Sequence, residues 1–134
     1  MPFPQRNLLA PTLAALLLLL ALPTDALASR LLYLARDEQL CDVQRTACLD
    51  GVLTYEVNER LLWLRGRMTT SAGAGTLQII LRGANRLGHV RYAPMEVALR
   101  GHKGEIVDFR MIPDHPDVAD WAIDRIGFVP APAD

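Results

Sequence analysis

Trp63, Arg65 and Arg67 occur at alternate positions of the run Leu61–Met68, with Leu62, Leu64 and Met68 on the other parity. Side chains alternate across a strand, so one face of this run suits a core and the other presents an indole among guanidinium groups. A guanidinium is always charged and grips carboxylate or phosphate with two parallel hydrogen bonds, which lysine cannot do. The same parity reasoning puts Arg82, Arg91 and Arg100 on outward faces of neighbouring runs. If those runs share one sheet, the six residues form a surface for an anionic partner: an acidic glycan, a lipid phosphate or an acidic protein. The competing reading is an arginine-biased set of solvated strand faces, and a one-residue slip in register would turn Trp63 inward.

Charge distribution sharpens the first reading. Residues 60–103 carry eight basic residues against Glu96 alone, while the segments on either side are acidic and the chain as a whole has a net charge of −1. Without a basic excess over the whole domain, nucleic acid is not the expected partner.

A second chemistry is metal binding. His89, His102 and His115 are the only histidines, and with Met95 and Met111 they offer imidazole and thioether ligands suited to copper. No Met-x-Met or His-x-His pair concentrates them, and a methionine alternating with core residues serves as packing. Catalytic signatures are missing: there is no Gly-x-Ser-x-Gly elbow, no His-Glu-x-x-His and no phosphate loop ending in Gly-Lys-Ser/Thr. Asp117, Asp120 and Asp124 read as the start and solvent face of a helix. The expectation is a binding or accessory domain that is not an enzyme and needs no cofactor, with the His/Met metal protein as the alternative.

The address comes from residues 1–28. Arg6, an apolar run from Leu13 to Leu22, the helix-breaking Pro23 and the small residues of Ala26-Leu27-Ala28 follow the order of a cleaved secretory leader, with cleavage expected before Ser29. The apolar run is too short to span a bilayer, which needs about 20 residues, and no later stretch approaches that length. Residues 29–134 then form one exported domain, just large enough for a single core. With no Asn-x-Ser/Thr site, a bacterial periplasmic or secreted protein is expected. Cys41 and Cys48, seven positions apart and the only cysteines, are expected to pair in that oxidising setting.

The elements that must position these side chains repeat with period two. Strands are expected at Ser29–Arg36, Val52–Val57, Leu61–Met68, Leu77–Arg82, Gly88–Tyr92, Met95–Arg100 and Glu105–Met111. Asn58-Glu59 provides a turn, Thr69–Thr76 a flexible loop and Gly101–Gly104 a hairpin loop. Short alternating runs punctuated this often predict an all-β antiparallel sandwich, immunoglobulin-like or barrel-like. From Pro116 onward Val118, Trp121, Ala122, Arg125 and Ile126 recur at helical spacing, and Gly127 ends the run. That pattern predicts one short C-terminal helix over Asp117–Ile126, with Trp121 packed on the sheet.

Overall fold

The structure is a computed structural model that describes residues 30–133. The expected leader lies outside the described residues. Seven strands form two antiparallel sheets packed face to face: β1 (Leu31–Cys41), β2 (Cys48–Glu56), β3 (Leu61–Met68), β4 (Gly75–Ala84), β5 (Val90–Leu99), β6 (Ile106–Met111) and β7 (Ala122–Pro130). One sheet has the order β1-β2-β3-β6 and the other β5-β4-β7. The result is a β-sandwich, as the alternation predicts. No hydrogen-bonded ladder closes it into a barrel. Its strand order also departs from the immunoglobulin layout, in which the first, second, fifth and fourth strands form one sheet and the third, sixth and seventh the other.

Alternation explains the core. Leu62, Leu64 and Met68 of β3 face Leu77, Ile79 and Leu81 of β4 and Met95, Val97 and Leu99 of β5, all of them buried. Gly88–Tyr92 and Met95–Arg100, read as two strands, are one continuous strand. Pro94 does not interrupt it because β5 is an edge, where a missing N–H costs no ladder bond. The Gly101–Gly104 loop is not a hairpin: β5 and β6 belong to different sheets, and the loop carries the chain across the sandwich.

The C-terminal helix is the main correction. Among the described residues there is no helix, and Asp117–Ile126 divides into a loop ending at Trp121 and the start of β7, which pairs with β4. A register shift between Ile80 and Leu81 leaves Asp124 as an extra residue in β7. The residues of this segment that turn to the core are therefore Val118, Trp121, Ile123, Ile126 and Phe128. A bulge stretches the inward spacing from two to three, which imitates a helical period. The expected role of Trp121 does hold: it is buried against the sheet, together with Val118.

Cys41 and Cys48 are directly opposite in the β1–β2 ladder and form a disulfide, a bond that persists in oxidising compartments. It closes a loop of sequence separation 7, so chain entropy alone assigns it roughly 2.5 kcal/mol. Thermal unfolding with and without reductant should show a fall in Tm of about 10 °C or more. No change would mean that the hairpin already fixes this end of the molecule.

Candidate functional site

Trp63, Arg65 and Arg67 lie on the outer face of the four-stranded sheet, and the two arginines are exposed. The pairing of β3 with β6 adds two residues that chain order alone did not place there. Arg110 stands opposite Trp63 and Asp108 opposite Arg65. The guanidinium carbons of Arg65 and Arg110 lie 3.9 and 4.0 Å from the centre of the Trp63 ring. Trp63 Nε1 donates to Asp108 Oδ1 at 2.7 Å, and Arg110 Nε is 3.9 Å from the same oxygen. The indole is therefore a fixed post on which two cations stack. Each contact contributes about 0.5–1 kcal/mol at an exposed site.

The post is supported from below and extended sideways. Tyr33, Thr54, Trp63 and Arg110 form one cross-strand row. Thr54 is buried in spite of its outward parity, and Tyr33 carries the Arg36 guanidinium 4.7 Å from its ring centre. Beside this row Arg67 has no ion-pair partner among the described residues, although Asp50 stands opposite it on β2. The face is thus arginine-rich but mixed in sign.

The other three arginines are elsewhere. Arg82 is exposed on the outer face of the three-stranded sheet. Arg100 follows β5 at the crossing loop, where its backbone N–H donates to Glu105 Oε2 at 3.0 Å. Arg91 does not point outward: it is half-buried on the parity of Ala93 and Met95, and β5 presents Val90 and Tyr92 to solvent instead. The expected six-residue surface is therefore divided between two sheets and one end of the molecule.

The His/Met set is dispersed as well. His89 lies in the β4–β5 turn, while His115 lies in the β6–β7 loop with its ring 6.4 Å from that of Trp121. These two segments are clasped at one end of the sandwich by Asn85 Nδ2 donating to Asp117 Oδ2 and Ala84 N donating to Asp120 Oδ1. His102 is in the β5–β6 loop at the opposite end, and Met95 is fully buried in the core. Among the described residues no group of three or more His, Cys, Asp or Glu side chains is arranged to hold a metal.

A cleft of about 670 Å³ lies at the clasped end between Asn85, Leu87, Pro116 and Asp117. Its carboxylates already serve the fold. The hydrogen bond from Asn85, with smaller help from Arg91 and His115, holds Asp117 below the usual carboxylate range. At the opposite end burial pushes the Glu105 carboxyl up, but N–H groups of Arg100 and Gly101 outweigh it and lower its pKa. Both acids fasten loops rather than face a ligand.

No protein-family model, curated protein or solved structure matches the chain. What defines the site is therefore its own geometry: a disulfide-bonded β-sandwich with a cation-stacked tryptophan on its four-stranded sheet.

Proposed function

We propose that this protein is an exported, non-enzymatic binding domain that holds an acidic partner on the outer face of its four-stranded sheet. The leader pattern of residues 1–28 supports export, and the Cys41–Cys48 bridge fits a periplasmic or secreted location. The observation that carries the binding role is the stacking of Arg65 and Arg110 on Trp63. Stacking fixes two long side chains before a partner arrives, so less rotamer entropy is lost on binding. Their N–H edges remain available for carboxylate or phosphate, and Arg67 supplies a third donor on the same strand. A flat, charged face with one fixed aromatic suits recognition of a partner rather than turnover of a substrate.

Binding of a polyglutamate peptide, followed by Trp63 fluorescence or by titration calorimetry, tests this reading. Arg67→Glu should weaken capture about tenfold with little change in Tm, because that side chain is exposed and makes no ion pair among the described residues. Adding Arg65→Glu should abolish capture, with a stability loss of only about 1 kcal/mol from the lost stacking. Affinity should also fall as salt rises, since exposed charges are screened over about 8–10 Å near physiological ionic strength. Capture indifferent to both salt and charge reversal would defeat the proposal.

A further inference from the structure

The two sheets have four edge strands, and three of them are blocked against further pairing. β1 is broken by two register shifts and turns through the left-handed Asp37, at φ 51°. β5 contains Pro94, which has no N–H to donate. β7 is bulged at Asp124. Bulges and prolines on edges are how sheets avoid adding strands from other molecules. β6 has neither device. Its ladder to β3 runs without a shift from Ile106 to Met111, and no proline occurs before Pro113.

The orientation of its free groups follows from the ladder. Met68 N donates to Glu105 O at 2.9 Å, so the Glu105 carbonyl and then the backbone groups of Val107, Phe109 and Met111 are directed toward β3. In an antiparallel pair the alternate residues point the other way. Ile106, Asp108 and Arg110 therefore offer N–H and C=O groups on a side where no strand pairs among the described residues. The same parity includes Ile112, just past the strand. Ile106 and Ile112 are 64% and 58% exposed, placing a large apolar side chain at each end of the open edge.

We infer that β6 is a homodimer interface, pairing antiparallel with β6 of a second copy about a two-fold axis through Phe109. In that register Asp108 stands opposite Arg110 of the second copy, and by symmetry Arg110 stands opposite Asp108. Ile106 meets Ile112 at both ends, Val107 meets Met111, and Phe109 meets itself. All outward-pointing backbone groups from Ile106 to Ile112 then face outward-pointing partners. Asp108 uses Oδ1 for Trp63, and its Oδ2 has no partner among the described residues, leaving it for the second copy's guanidinium.

Neighbouring registers are disfavoured. Moving the axis to Asp108 places two carboxylates face to face, and moving it to Arg110 does the same with two guanidiniums. Like charges directly opposite on a sheet are destabilising. The edge is thus self-complementary in one register, as a closed two-fold contact requires. The product is a continuous eight-stranded sheet, with two Trp63 posts on its outer face near the axis. The dimer engages Arg110 and Asp108 of the Trp63 site and leaves Arg65 and Arg67 of each copy for an acidic partner, so Arg67→Glu tests the face while the association assay tests the edge.

The test is sedimentation velocity and native mass spectrometry of the protein expressed from its full sequence and purified from the exported fraction, at low and high micromolar concentration. A dimer is expected, dissociating on dilution because the contact is small. Asp108→Arg and Arg110→Asp should each weaken it about 100-fold, as each creates two like-charge pairs. The double exchange D108R/R110D should restore the dimer. Because these residues also touch Trp63, Ile106→Lys provides a variant at an exposed position, expected to weaken association at least about tenfold with a fall in Tm of only a few degrees, since the new charge stands opposite the exposed Arg67. A wild-type monomer at every concentration, a complex with a different chain on β6, or a dimer indifferent to Asp108→Arg and Ile106→Lys would overturn the inference. A double exchange that folds but stays monomeric would do so too.

Discussion

Gly101→Ala should cost more than about 4 kcal/mol, most of the stability of a domain this size, and leave little folded protein to purify. Gly101 has φ of 80°, a left-handed conformation that costs a side-chain-bearing residue about 1–2 kcal/mol. The larger part is a collision. A Cβ there would lie 1.7 Å from the carbonyl oxygen of Gly73 and 2.1 Å from its carbon, both backbone atoms. Moving either chain breaks the Gly73 N to Gly101 O bond of 3.0 Å and pulls Gly101 N from the Glu105 carboxylate. Those bonds tie together the β3–β4 and β5–β6 loops, two of the three through which the chain crosses from one sheet to the other. Gly104→Ala separates the two causes, because Gly104 has φ of 89° with nothing within 4 Å of a new Cβ. It should lose only the conformational part, about 1–2 kcal/mol. Denaturant titration of both variants decides the matter, and equal losses would show that the collision is relieved by loop movement.

The same crossing loops mark where the sequence stops being legible. Leu61–Met68 is a strand with the bounds that its alternation predicts, and its apolar parity is the core. That part is readable because it is local: period two needs only neighbouring residues. Strand partnership is not local. Nothing in Gly101–Gly104 distinguishes a hairpin from a crossing, since both need left-handed glycines. Once the chain crosses there, β6 is free to pair with β3, and that pairing brings Arg110 and Asp108 to Trp63. The alternation of Glu105–Met111 already puts Asp108 and Arg110 on one face, but not which face they would meet. For the same reason Arg82, equally outward by parity, lies on the other sheet.

Arg91 shows a different limit. Its neighbour Tyr92 reads as an inward aromatic if the strand is taken to end before Pro94. With β5 continuous through Pro94, the parity set by Met95 and Val97 extends back to Arg91 and sends Tyr92 outward. The edge position of β5 is what permits this, and an edge is a property of the whole sheet. The site that survives is smaller than the sequence suggests but better organised: one ring, two stacked cations and a carboxylate that fixes the indole.

Trp121→Ala should destabilise the protein by about 3–5 kcal/mol, whereas Trp121→Phe should cost no more than about 1.5 kcal/mol. Trp121 is only 3% exposed, and its ring carbon and Val118 Cγ1 press on the β4 backbone where Gly83 leaves room. A Cβ on Gly83 would come within 3.2 Å of Trp121 Cε3 and 2.5 Å of Val118 Cγ1. Removing the indole empties that space at the point where the β6–β7 loop is fastened to the sandwich. Phenylalanine keeps most of the apolar fill and removes a liability, for Trp121 Nε1 is buried with no hydrogen-bond partner among the described residues. An unsatisfied buried donor costs about 1–3 kcal/mol, which offsets much of the smaller ring. Equal losses for alanine and phenylalanine would mean that the indole N–H contributes a bond to the fold. The contrast also tests the loop itself: a side chain that anchors an irregular segment by its volume tolerates exchange of one flat ring for another.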